Sequence, residues 1–246
     1  MQQPFFKANY YEWQNSLMET LVTQKVSIVL HPNMTDIDTG IRIRQKAHEL
    51  FMQYGLRSVS MDDIANGMGI SKKTIYHYYA DKDELVEAVM ESEFKKNEGI
   101  CDFDRNNSKN AVHEIFLAMD MTVELFRSMN PSLIFDMQKY HPKAFIKFHK
   151  YKNDFLYNVI LVNINRGIKE GLYREEINVD IMSRFRVETM MIAFNVEFNS
   201  KLKNTMAEIE EEVILHFLFG LVSLKGYKMV VKYQQERLNK SNNAKK

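Results

Sequence analysis

The stretch SMDDIANGMGISKKTIYHYYADKDEL, residues 60–85, constrains the fold more than any other part of the chain. It spells two short helical segments around a glycine-bearing turn, and a unit this small cannot bury its own apolar face. Ser60 with Asp63 is close to a capping box, although Asp is shorter than the usual Glu. Ile64, Ala65 and Met68 give the first segment an inner face, and the small Ala65 suits a close helix crossing. Gly69 supplies the tight turn, Ile70 plugs the gap, and Ser71 caps the second segment. That segment, residues 72–77, has one strongly apolar residue, Ile75, so it packs by one point and shows the rest outward. Outward-facing Lys72, Lys73, Thr74 and Tyr76 suit DNA: Lys and Tyr hydrogen-bond phosphate oxygens, Thr touches a thymine methyl or a base edge, and helix-start N–H groups attract phosphate. The bland alternative is a polar surface helix in some other helical protein.

The net charge of +1 over 246 residues excludes a polycation, so any nucleic-acid face must be local. Nine Gly and four Pro are few for this length, which favours a mostly helical chain. A lone cysteine, Cys101, has no partner for a disulfide and reads as an incidental thiol in a reducing compartment. No apolar run approaches the roughly 18 residues of a membrane span, and the start of the chain lacks a secretion-type apolar region, so a soluble cytoplasmic protein is expected.

Residues 1–33 match nothing that follows. Phe5, Phe6, Tyr10, Tyr11 and Trp13 make them aromatic, and they are expected to be an added arm, or else to precede a biological start at Met34. Over 41–55, Ile43, Ala47, Leu50, Phe51 and Tyr54 recur with helical period, and Gly55 ends the helix. Arg42, Arg44 and Lys46 crowd its first turns, the unfavourable end for cations, so they serve an external anion or form a solvated basic face. Asp81 caps a long helix with Leu85, Val86, Val89, Met90 and Phe94 on its inner side. The polar run 101–110 predicts a loop and a domain boundary.

The segment IANGMGISKKTIYHYYADKDEL closely resembles the DNA-binding region of TetR-family transcriptional regulators, matching at Ala65, Gly69, Ile70, Ser71, Thr74, Ile75, Tyr76, Lys82, Asp83 and Leu85. Tyr79 stands where Phe is usual, which keeps the ring. The resemblance covers about 50 residues, counting the preceding helix. It implies an all-α protein: a three-helix helix-turn-helix domain joined by a linking helix to a helical bundle that dimerises through its last two helices. It implies that Tyr76 and Lys82 contact phosphate and that Lys72, Lys73, Thr74 and His77 face the groove. With the capping residues Ser60 and Ser71, these make the expected DNA-binding set. His77 could instead only pack against Tyr78 or the first helix.

The rest reads as a helical body. Val112, Ile115, Phe116, Met119, Val123 and Phe126 share one helical face; Pro131 opens a short helix through Met137; Pro142 opens a long one that closes near Gly167 and Gly171. The next helix has Ile181, Phe185, Ile192 and Val196 on one face and Val187, Met190, Phe194 and Phe198 on another. The last, from about Ala207, has Ile209, Val213, Phe217, Leu221 and Leu224 in one row and Ile214, Leu218 and Val222 in a second. A second apolar face needs a second partner. A homodimer interface is therefore expected at Phe185, Ile192, Val213, Phe217, Gly220, Leu221 and Leu224, with Gly220 allowing close approach. The alternative is a central helix buried within one subunit.

Soft and aromatic side chains crowd the middle of this body. By the resemblance, Phe116, Met119, Phe135, Tyr140, Phe148, Tyr151, Phe155, Met190 and Phe194 are candidate walls for a small apolar or aromatic effector, although any one of them is as readily plain core. The expected division is 1–33 extension, 34–95 reader with linking helix, 96–236 effector-binding and dimerisation domain, and 237–246 basic tail. The expected function is a dimeric repressor, released from a palindromic double-stranded operator by its effector. One alternative is a regulator controlled by a protein partner. Another is a helical enzyme, for which His141 and His149 are the best pair but lack helical metal-motif spacing. No phosphate loop, nucleophile elbow or dinucleotide motif occurs, so no catalytic, metal or cofactor site is expected.

Overall fold

A computed structural model describes residues 34–243. The extension expected at 1–33 lies outside them. Among the described residues the elements are helices, with one isolated antiparallel bridge between Tyr173 and Val222. The chain is all-α.

The reader comes first: α1 (Met34–Tyr54), α2 (Met61–Met68) and α3 (Lys72–Tyr78). Next are α4 (Lys82–Asn107), α5 (Ala111–Ser128), α6 (Leu133–Tyr140) and α7 (Pro142–Lys150). A π-helical turn over Tyr151–Leu156 carries α7 without a break into α8 (Tyr157–Lys169). The remainder is α9 (Val179–Thr189), a 3-10 turn (Ile192–Phe194), α10 (Val196–Ser200), α11 (Met206–Leu221) and α12 (Leu224–Asn243).

Two apolar cores hold these elements. The first gathers Ile43, Ala47 and Phe51 of α1, Ile64 of α2 and Ile75 of α3 around Leu85, Val86, Val89, Met90 and Phe94 of α4, and continues into Leu133, Ile134 and Met137 of α6 and Ala144 of α7. The second joins Val112, Phe116, Met119 and Val123 of α5 to Ile164 of α8, Ile209, Ile214, Phe217 and Leu218 of α11, and Val230 and Tyr233 of α12. The reader thus shares its core with α6 and α7, and the division expected at residues 95 and 96 falls inside α4.

Local chemistry shifted several boundaries from their sequence-based positions. The expected loop over 101–110 is helix as far as Asn107, because its polar side chains suit an exposed helix face; Asn110 then caps α5 through His113 N–H. The helix expected across 181–198 stops at Thr189, and Asn195 caps a new short helix by accepting from Phe198 N–H. The last body helix ends at Leu221, where Val222 turns extended and Ser223 N–H donates to the Leu172 carbonyl at 2.9 Å. Gly220 therefore lies at a helix end, not in mid-helix. The tail expected from residue 237 continues α12 as far as Asn243.

Polar contacts lock the reader onto α6. Gly55 ends α1 at φ +82°, and an added Cβ there would stand 2.7 Å from Ser132 Oγ. Just beyond this turn, Arg57 N–H donates to the buried Asp136 carboxylate at 3.0 Å, and Ser132 Oγ donates to the same oxygen at 3.1 Å. Asn130 N–H reaches the Met52 carbonyl at 2.8 Å. On the other side, His141 Nδ1 pairs with Asp83 at 2.5 Å, and Lys147 bridges Glu87 at 2.7 Å and Glu91 at 2.6 Å. Asp136→Ala would leave Arg57 N–H without its acceptor, while Ser132 Oγ keeps Asn130 Oδ1 at 2.9 Å, and urea denaturation should show a loss of about 1–3 kcal/mol. An unchanged midpoint would remove Asp136 from the lock.

Candidate nucleic-acid interface

The reading surface is made by α2, its turn and α3. Ser60 Oγ accepts from Asp63 N–H at 3.2 Å, and the Asp63 carboxylate accepts from Ser60 N–H at 2.7 Å, so the short acid completes the capping box. Those hydrogen bonds from Ser60 hold the Asp63 carboxyl below its ordinary range. Gly69 then closes α2 at φ +66°, where its N–H and that of Ile70 satisfy the Asn66 and Ala65 carbonyls. Ser71 caps α3 by accepting from Thr74 N–H at 3.1 Å, and its hydroxyl lies 2.8 Å from the Thr74 hydroxyl.

Ile75, fully buried, is the anchor of α3. Around it Lys72, Lys73, Tyr76 and His77 are exposed and Thr74 is half-buried. Lys72 pairs with Asp62 at 2.8 Å, and that bond pushes its pKa up. Both partners are exposed, so the pair is weak enough to open for another anion. His77 is exposed and also meets the Tyr78 ring edge-on at 5.1 Å. Lys82 is placed differently from the others. Its ammonium donates to the Leu56 carbonyl at 2.5 Å and lies 6.0 Å from the Phe51 ring centre, with burial lowering its pKa. It ties α4 to the α1–α2 turn.

A hydroxyl contact explains Tyr79. Its ring is buried, and its O–H donates to the Gly40 carbonyl at 3.0 Å, a hydrogen bond Phe could not make. That role and the Asp136 contacts escaped sequence reasoning. The one available signal was an acid, Asp136, within the apolar positions Leu133, Ile134 and Met137.

The candidate effector residues do not all meet. Tyr151 stacks between Phe94 at 4.6 Å and Phe155 at 5.4 Å, and Phe148 lies 6.2 Å from Phe94. Phe194 packs edge-on to Phe126 at 5.1 Å, and Met190 is half-buried at the end of α9. Phe116 and Met119 are buried in the second core, with Phe116 against Tyr233. Phe135 is exposed beneath the Lys139 ammonium, and Tyr140 faces Arg57 at 5.5 Å where the reader meets the body. Of the candidate dimer residues, Phe185, Gly220 and Leu224 are exposed, Ile192 and Val213 are half-buried, and Phe217 and Leu221 are buried within the subunit. Among the described residues no group of three metal-ligating side chains occurs, and no helix is long and apolar enough to cross a membrane.

Residues 43–89, which span α1 to the first turns of α4, match the profile of "Bacterial regulatory proteins, tetR family". The reader is therefore of the TetR-family type, and the chain is similar to transcriptional regulators of that family. It is 28% identical over 179 residues to the "Uncharacterized HTH-type transcriptional regulator YvaF" of Bacillus subtilis, covering 70% of this chain and 90% of that one. It is 24% identical over 151 residues to the "HTH-type transcriptional repressor KstR2" of Mycobacterium tuberculosis, covering 60% and 75%. The fold is that of a TetR-family regulator from Agrobacterium tumefaciens, at a TM-score of 0.64 and 15% identity over 76% of this chain and 99% of that chain.

Two substitutions test how this TetR-type reader is held. Ile75→Ala removes the one buried contact of α3 and should cost about 2–5 kcal/mol on the scale of core truncations. Tyr79→Phe should cost about 1 kcal/mol, the worth of one hydrogen bond. Both are read from denaturant midpoints, and a neutral Tyr79→Phe would show the Gly40 contact to be idle.

Proposed function

We propose that this regulator is a repressor that binds a palindromic operator as a homodimer and is released by a small apolar or aromatic effector. The observation that carries the reading is α3 itself, anchored by the buried Ile75 with Tyr78 half-buried beside it, and showing Lys72, Lys73, Tyr76 and His77 to solvent. Two such helices, one from each subunit, enter successive major grooves. The similar KstR2 is described as a repressor, which favours that direction of control.

The outward residues of α9 and α11 support pairing. Ile181, Phe185 and Phe219 are exposed large apolar side chains on these helices, and they need cover. The aromatic stack of Phe94, Tyr151 and Phe155 lies between α4 and the π-helical turn, and α4 begins at the reader. A ligand that separates these rings acts directly on the helix that carries the reader. Release follows if the ligand prefers a dimer whose reader spacing mismatches the operator.

Selection of bound sequences from random DNA is the decisive experiment, and it should return an inverted repeat. Recovery of no preferred sequence would sink the reading. Tyr76→Phe should weaken binding to all sequences, whereas Lys73→Ala and Thr74→Ala should change which bases are preferred, each by about 1–3 kcal/mol at the affected position. Equal losses on specific and random DNA for all three would abolish that division of roles. Phe185→Glu should convert the dimer to monomer in sedimentation equilibrium and abolish operator binding; a variant that remains dimeric would move the interface elsewhere.

A further inference from the structure

The described residues hold a buried ion pair that is left half satisfied. Arg186 of α9 donates through Nη2 to Glu210 Oε1 of α11, and both side chains are almost wholly removed from solvent. Arg186 Nη1 and Glu210 Oε2 are also buried, and neither has a hydrogen-bond partner. The neighbouring hydroxyls are already used: Ser183 Oγ donates to the Val179 carbonyl and Thr189 Oγ1 to that of Arg186. Burial raises the Glu210 carboxyl while Arg186 opposes it.

For stability alone the arrangement is poor. An unpaired buried donor or acceptor is costly, and a buried ion pair is often replaced by apolar residues without loss. Val187 beside Arg186 in the chain, and Ala207 and Ile214 one turn either side of Glu210, are buried and apolar. The segment that follows α9 packs against α11 as a strap. Within it the 3-10 turn Ile192–Phe194 is followed by α10, which buries no side chain and leaves Val196 and Phe198 exposed. Asn199 fastens the strap by donating to the Ala193 carbonyl at 2.7 Å, while its own Oδ1 is buried without a partner.

We propose that Arg186 and Glu210 form the polar end of the effector site, and that the effector carries a primary carboxamide on an apolar body. This rests on the reading of the chain as an effector-controlled repressor. The carbonyl oxygen accepts from Arg186 Nη1, and the amide N–H donates to Glu210 Oε2, so one planar group satisfies both orphan atoms. A carboxylate would meet the Glu210 charge, and a hydrocarbon would leave both atoms unpaired. Movement of the strap over 190–202 admits the ligand.

The test uses the full-length protein with primary phenylalkyl carboxamides of increasing chain length, each matched with the carboxylate and the alkylbenzene of the same length. Thermal shift reads binding, and release of the selected operator reads control. At least one carboxamide should bind at least tenfold better than both of its matches. The Arg186→Met, Glu210→Met double variant replaces the pair by apolar chains, should keep a cooperative thermal transition, and should lose the preference. The proposal is overturned if no carboxamide is preferred by the wild type, or if the double variant keeps the preference. A carboxamide preference without operator release would uphold the site and reject the effector-controlled reading, so the two failures are separable.

Discussion

The buried strip of α4 is the interaction on which the rest of the structure depends. Leu85, Val86, Val89, Met90 and Phe94 pack against α1 and the reader on one side and against α6 and α7 on the other. Burial of such a strip is non-directional and large, so it fixes position, while the polar contacts around it fix angle. Asp83 with His141, and Glu87 and Glu91 with Lys147, clasp its outer edge to α7 and to the residue before it. The reader is accordingly part of the same core as α6 and α7.

This continuity bears on control. A loosely tethered reader could not sense a change in the body, because the linker would absorb it. Here the α1–α2 turn donates to Asp136 through Arg57 N–H, and Asn130 grips the end of α1. A displacement of α6 therefore reaches the reader through short, directional bonds. The aromatic stack of Phe94 on Tyr151 gives α4 a second contact with the body, at the π-helical turn. π-Turns inside long helices often mark functional positions, and this one sets Tyr151 against α4.

The reader itself was legible in detail. Ser60, Asp63, Gly69, Ser71 and Ile75 each occupy the position their local chemistry demanded, because caps and left-handed turns are decided by neighbours within four residues. The body was legible as helices but not in its breaks. Nothing in the apolar rows distinguished a continuous helix across 181–198 from one that stops at Thr189, since both keep the period. Likewise the end of α11 at Leu221 depends on Ser223 and Tyr173 meeting distant partners. The candidate effector set was chosen by residue type, and packing separated Phe135 and Tyr140 from the stack of Phe148, Tyr151 and Phe155. Glu210 was invisible within the acidic run 208–212, where only burial marks it out.

By itself, then, the sequence determined an all-α regulator with a glycine-turn reader, because helix periodicity, capping and turn formation are local properties. The tertiary structure decided which polar groups are buried, how the reader is bound to α6, and why Tyr79 carries a hydroxyl. Those depend on residues far apart in the chain, Arg57 with Asp136, Asp83 with His141 and Arg186 with Glu210, and no local pattern encodes who meets whom.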